Sequence, residues 1–303
     1  MSGRAGPRGT GPGASTLVAA LLLAFQVSAP RVVHVGRVSV VYWEGAESRA
    51  IALGEMADAI RRWPGIPVPP EGPIRLIMAS NERQFDSLTA GRLPPWGAAA
   101  TFPATRTIVL KPSGDFPRVL RHELAHLALH SVVIRVPRWF DEGYAARAAG
   151  EWDRLEALRL NWALLRGAVP SLAEVDRRLQ GHWAGEAEAS YALATSAVLL
   201  LERLGRARGL EPLLTQLSKT ADFDLALRST YQMTLGQFEE LWARDLRKRY
   251  GWLLFFTSFT VFWLFVTLLL LALWSRRRSR DRGRREALDV GWVVPDDDDA
   301  PPA

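Results

Sequence analysis

The order of local signals along the chain predicts an α+β fold, with short strands first and a long run of helices after them. Three observations carry this reading. Every alternating, β-branched segment lies before residue 111, and almost everything from Asp115 onward has helical spacing. Strands followed by a run of helices is the α+β pattern rather than alternating βαβ units. Once a leader and an apolar C-terminal run are set aside, about 220 of the 303 residues remain to fold, which is one domain of ordinary to large size or two small ones.

The elements follow in order. Arg31 to Trp43, RVVHVGRVSVVYW, alternates and is rich in Val, so it reads as a strand or as a hairpin broken at Gly36. Ser48 to Trp63 has helical spacing, with Ile51, Met56, Ala59 and Ile60 as its apolar stripe, and it ends at the Pro- and Gly-rich stretch Pro64 to Pro73. A short strand, Ile74 to Met78, precedes a helix from Asn81 to Leu88 and two β segments near Ala98 to Phe102 and Thr107 to Leu110. Helices are then expected over 115–131, 138–149, 152–166, 171–179, 187–205, 208–218, 222–231 and 235–249. No internal repeat occurs.

Composition narrows the function. With 48% hydrophobic and 23% charged residues the chain can build a core, which excludes disordered and fibrous classes. No cysteine is present, so disulfide scaffolds, thiolate metal sites and cysteine nucleophiles are excluded together. A metal site must use His, Asp or Glu. The net charge of +6 owes much to a clustered tail, since seven of the 38 Lys and Arg residues fall between Arg276 and Arg285. The middle of the chain lacks the dense basic face that nucleic-acid binding needs.

Residues 1–29 combine Arg4 and Arg8, the apolar run Leu17 to Phe25 and the small residues Ser28 and Ala29, the pattern of a secretory signal peptide. From Trp252 to Trp274 no charged residue occurs, a run longer than the roughly 20 residues that cross a bilayer. Residues 251–275 are therefore expected to form one transmembrane helix. The heavier basic cluster after it predicts a cytoplasmic C-terminus. The expected layout is a cell-membrane protein with a single C-terminal span, an extracytoplasmic domain over 30–250, and a polar, disordered cytoplasmic tail over 276–303.

The chemistry lies in Arg121-His122-Glu123-Leu124-Ala125-His126, an HExxH motif. On a helix, residues four apart lie about 40° apart around the axis, so His122 and His126 leave one face and can share one ion. Glu123, about 100° further round, can reach a water beside that ion. Asp115 as N-cap, Pro117 in the first turn and the apolar side Val119, Leu120, Leu124, Leu127 and Ala128 support the helix. Catalytic zinc usually takes a third protein ligand and keeps one position open.

The next helix, opened by Pro137, reads Arg138-Trp139-Phe140-Asp141-Glu142-Gly143-Tyr144-Ala145. HELAH followed by WFDEGYA resembles the HExxH and W-x-x-E-G-x-A pair of the gluzincin metallopeptidases, zincins of the MA clan, over Asp115 to Ala149. The resemblance implies a zincin-like fold and makes Glu142 the third zinc ligand. It implies that Gly143 and Ala145 let the two metal-bearing helices approach closely. The chain departs from the aminopeptidase branch, with only 15 residues between His126 and Glu142 and no Gly-x-Met-x-Asn motif. It is more similar to the small bacterial peptidase MA-like proteins.

The implied reaction is hydrolysis of a peptide bond in a peptide or protein substrate by a water whose pKa zinc lowers toward about 7, with Glu123 as general base. Two imidazoles and a carboxylate also suit other divalent ions, but the open arrangement on a helix pair favours zinc. Tyr191 is the first candidate to stabilise the oxyanion and His182 the second, while a core position serves Tyr191 equally well. An edge strand before the motif helix aligns substrate in related zincins, and Thr107 to Leu110 is the expected one. His130 lies about 6 Å further along the helix than His126, too far to share its ion, and His34 in its Val-rich strand reads as structural. Asp141 is a candidate to orient a His ligand, and Trp139 and Phe140 are expected in the core.

The expected function is a membrane-anchored extracytoplasmic zinc peptidase of the endopeptidase kind. The alternative is a catalytically silent zincin-fold module that binds peptides or a membrane complex, against which the intact Glu123 argues. Intramembrane proteolysis fails because the motif helix carries Asp115, Arg118 and Arg121.

Overall fold

A computed structural model of the chain describes residues 29–68, 70–91, 97–150, 169–181, 184–250 and 259–289. The leader expected over 1–29, apart from Ala29, the helix expected over 152–166, His182, the start of the expected span and the last residues of the tail lie outside the described residues.

Among the described residues, five short strands form one mixed sheet. β1 (Arg31–Val35) and β2 (Val38–Tyr42) are antiparallel, and β3 (Ile74–Met78) is parallel to β2. β5 (Thr107–Leu110) is parallel to β3, and β4 (Ala99–Phe102) is antiparallel to β5, giving the order β1-β2-β3-β5-β4. The segment Arg31 to Trp43 is thus a hairpin, and Gly36 makes its two-residue turn at φ +54°. A Cβ on Gly36 would meet the Asp58 carboxylate at 2.5 Å, and the Arg37 amide donates to that same carboxylate.

One face of the sheet carries Val38, Val40, Ile74, Leu76, Ile108 and Leu110, all buried in the main core. α1 (Glu47–Ala59) and α3 (Phe116–Val132) pack on that side. The buried face of α1 is Ala50, Leu53, Gly54 and Ala57 rather than the stripe expected from Ile51, Met56, Ala59 and Ile60; Ala59 is exposed. Small residues are buried here because the helix lies close on the hairpin, where a Cβ on Gly54 would meet the Val35 side chain at 2.9 Å. On the other face α2 (Glu82–Thr89), capped by Asn81 on the Gln84 amide, inserts Phe85 against Val109.

The helical half is a layer of α4 (Arg138–Ala149), α5 (Leu172–Leu179) and α6 (Ala184–Leu204), followed by α7 (Glu211–Thr220), α8 (Phe223–Tyr231) and α9 (Leu235–Tyr250). Ser171 and Asp222 cap α5 and α8 through the amides of Glu174 and Leu225. α9 is fixed to α6 by Trp242, whose indole N–H donates to Ser196 at 2.9 Å inside the core. The α+β expectation, with a small mixed sheet before a mainly helical part, matches this architecture.

One part of the expected architecture is corrected. The last element, α10 (Phe259–Asp289), is apolar only as far as Trp274 and rich in arginine from Arg276 onward. No described helix is long and apolar enough to cross a membrane, so the expected C-terminal transmembrane helix is not supported. Within the described residues the apolar stretch of α10 is Phe259 to Trp274, fewer than the roughly 20 residues a span requires, and the first part of the run expected from Trp252 lies outside them. The arginine-rich segment, expected to be disordered, is helical and exposed within that same element.

Candidate metal centre

The centre is built on α3 and α4. Asp115 occupies the N-cap of α3 without a side-chain cap bond, and Pro117 stands in the first turn. Leu120, Leu124, Leu127 and Ala128 are buried, which turns the opposite flank, with His122, Glu123 and His126, toward a cleft. α4 is anchored at its start. Trp139 and Phe140 are fully buried and meet Phe223 edge-on, Trp139 stacks on Phe238, and the Trp139 amide donates to the Asp176 carboxylate at 2.5 Å. Arg121 of α3 donates to the Ala148 carbonyl at 2.7 Å and ties the two helices together at the other end.

Gly143 has a different task from the one expected. A Cβ there would stand 2.6 Å from the Ala194 carbonyl oxygen and 2.9 Å from the Val198 side chain, both on α6. The close approach is therefore between α4 and α6, behind the site, and not between the two motif helices.

With α4 held in this way, Glu142 points back at α3. Its Oε2 lies 3.5 Å from His122 Nε2 and 3.8 Å from His126 Nε2, and all three side chains are nearly buried. A tetrahedral ion with bonds of 2.0–2.1 Å separates its ligand atoms by about 3.3 Å, so two imidazoles and a carboxylate at these distances fit zinc after small adjustments. The carboxylate of Glu142 is pulled two ways, since burial raises its pKa while the His122 contact and the His126 charge lower it, and the net shift is downward. Arg138 Nη2 stands 3.7 Å from the other oxygen, Oε1.

A second trio, His126, His130 and Asp141, is also within ligand range of itself. Asp141 Oδ1 is only 2.6 Å from His126 Nδ1, however, which is a hydrogen bond and shorter than the edge of a metal polyhedron. Burial would raise the Asp141 pKa, but His126 and His130 hold it well below the usual carboxylate range, so it accepts from both rings. His126 Nδ1–H donates to Oδ1, and His130 Nε2–H donates to Oδ2 at 2.9 Å. This leaves His126 Nε2 directed to Glu142. Burial lowers the His126 pKa and Asp141 more than offsets it, leaving the ring's pKa raised. His130, set aside as a ligand in the sequence, thus supports the carboxylate behind His126. Its position four residues past His126, on the same helix face, was the available signal.

Tyr191, on α6, is half-buried at the cleft wall, with its ring centroid 6.4 Å from that of His122 and its hydroxyl bonded to the Glu142 carboxylate. Burial first and the Glu142 charge second push its pKa up, so it keeps its proton. His34 is remote from the centre and bonds Ser39 Oγ at 3.0 Å.

The cleft measures about 870 Å³ and lies between these helices and β4. The strand assignment is corrected here. Thr107–Leu110 is an interior strand with β3 and β4 on either side, and Ala99–Phe102 is the edge. The reversal arises because β4 and β5 are joined by a tight 3₁₀ turn, Pro103–Thr105, and the later strand takes the inner place. Thr101 of β4 donates to Glu123 Oε2 at 2.5 Å, a contact the sequence did not disclose. Comparison of the chain with protein-family models and with curated proteins finds no match to either.

Proposed function

We propose that the protein is a zinc-dependent peptidase in which His122, His126 and Glu142 hold the ion and Glu123 is the general base. The observation that carries this reading is the convergence of two imidazole Nε2 atoms and one carboxylate oxygen on the wall of an open cleft, with a second carboxylate beside them. Zinc bound there supplies a Lewis acid that polarises the scissile carbonyl and acidifies a water.

The chain's own groups do the rest. Glu123 accepts a proton from the attacking water and returns it to the leaving amine nitrogen as the C–N bond breaks. Asp141, backed by His130, keeps the His126 ring in the tautomer that leaves Nε2 free for a ligand bond. Tyr191 remains a neutral donor beside the centre, suited to the negative charge that develops on the carbonyl oxygen. The edge of β4, unpaired among the described residues, offers backbone groups to an extended peptide.

The test is to measure zinc content and peptide-library cleavage for the full chain and for Glu123→Gln. The expected result is about one zinc per chain in both, with cleavage by the wild type and a loss of about 10²-fold or more in the variant. Stoichiometric zinc with no cleavage of any library peptide would instead favour a silent binding module, and absence of zinc from both would remove the metal reading altogether.

A further inference from the structure

We propose that Thr101 is a positioning residue for Glu123, fixing from the edge strand which carboxylate oxygen receives the proton. The inference rests on the peptidase reading and deepens it. Thr101 Oγ1 lies 2.5 Å from Glu123 Oε2 and 3.2 Å from the Glu123 carbonyl oxygen. A hydroxyl has one hydrogen, and the shorter, charge-assisted contact with the carboxylate takes it. Among the described residues, Thr101 is the side chain that hydrogen-bonds this carboxylate.

The geometry has two consequences. A glutamate carboxylate on a half-buried helix flank turns about three torsions, and a bond to Oε2 removes that freedom and assigns proton transfer to Oε1. The water O–H bond breaks, its electron pair stays on the oxygen that attacks the carbonyl carbon, and the proton goes to Oε1. The Oε1–H bond then breaks, and its proton goes to the amine nitrogen as that atom takes the C–N electron pair. Oε2 stays on Thr101 throughout, so the proton is returned from the same place.

The second consequence concerns the strand. Thr is stiff at χ1, so the position of its hydroxyl follows the backbone of β4. The Lys111 amide donates to the Ala98 carbonyl, which places 98, 100 and 102 in the set bonded to β5 and turns the backbone groups of 99 and 101 toward the open edge. Residue 101 therefore presents its backbone where a peptide strand would pair and its side chain to the base. Docking of substrate and aim of the base share one residue.

The experiment compares the full-length wild type with Thr101→Val, which keeps the shape and removes the donor, and with Thr101→Ser, which keeps the donor. Zinc content, melting temperature, kcat and KM are measured, together with affinities for a hydroxamate, which chelates the metal and hands its proton to the base, and for a simple thiolate, which only binds the metal. Thr101→Val is expected to keep its zinc and its melting temperature, to lose about 10- to 100-fold in kcat with KM within about threefold, and to bind the hydroxamate about tenfold more weakly with thiolate affinity unchanged. Thr101→Ser recovers most of both losses. A Val variant with wild-type kcat and wild-type hydroxamate affinity overturns the proposal. If Val disrupts the strand, Thr101→Ala replaces it, and a Ser variant that behaves like Ala overturns the proposal equally. A wild type that cleaves nothing sinks the peptidase reading, while the hydroxamate comparison still decides the role of Thr101.

Discussion

The two walls of the cleft are made in opposite ways. The helical wall, α3 with α4, is dense with charge: two imidazoles face Glu142, a third reaches Asp141, and Arg138 stands at the rim. The strand wall offers Ala99, Ala100, a backbone edge that no strand among the described residues pairs, and one hydroxyl that matters, that of Thr101. Charges buried together must be mutually paired, so the helical wall is fixed by its own network and tolerates little change. The strand wall has little to satisfy and leaves room for another chain. On the proposed reading, one side would hold an ion and the other would admit a backbone.

This contrast can be broken most severely at the ligands. His126→Ala or Glu142→Ala is expected to abolish stoichiometric zinc, with a loss of about 10³-fold or more in peptide cleavage, checked by metal analysis and steady-state kinetics on the same preparations. Retention of zinc by both variants would show that the helical wall is not a metal site.

The next effect is on packing behind that wall. Gly143→Ala drives a methyl group into the Ala194 carbonyl and should destabilise the fold by about 1–3 kcal/mol in denaturant unfolding. A variant as stable as the wild type would mean that α4 can back away from α6 at no cost.

Asp141→Asn keeps the size of the side chain and weakens its bond with His126, so zinc affinity should fall about 10- to 100-fold in chelator competition. The same variant tests a pH dependence of the metal-free protein. Asp141 and Glu142 have lowered pKa values, so their contribution is full above about pH 4 and is lost as the pH falls toward the folded values. His126 has a raised pKa, so its contribution is full below about pH 6.5 and is lost as the pH rises through the folded value. The metal-free melting temperature should therefore peak between about pH 4 and 6.5, and Asp141→Asn should flatten the peak. A wild-type curve without that maximum would mean that the network contributes little.

The smallest effect is expected at the rim. Arg138 is 42% exposed and 3.7 Å from Glu142, so Arg138→Ala should change zinc affinity by no more than about threefold. A larger change would move Arg138 from the rim into the working part of the wall.

The same contrast explains what could be read from the residues alone. Helical spacing brought His122, Glu123 and His126 to one flank because four residues make about one turn, and nothing distant is needed to know it. Strand boundaries at Gly36 and near Thr107 were equally local. The order of strands was not, since whether β4 or β5 lies at the edge depends on how a three-residue turn folds the pair back onto β3. Nor was the contact between Thr101 and Glu123, which joins residues 22 apart in the chain through the placement of a sheet edge beside a helix. The buried face of α1 is not legible from bulk, because a close helix-to-sheet approach selects Ala and Gly. At the C-terminus, local hydropathy predicts a span from Trp252, whereas the described helix is apolar only from Phe259 to Trp274.

The aromatic anchor at the start of α4 bears on the order of events in the life of the molecule. Trp139 and Phe140, clasped by Phe223 and Phe238 and latched to Asp176, set the direction of the following turn through contacts made by the chain itself. If the centre takes up zinc, this packing predicts that folding and metal uptake are separable in time, unlike in a zinc finger, whose chain stays unstructured until the ion arrives. A chelator should empty such a protein and leave its shell standing, ready to be refilled.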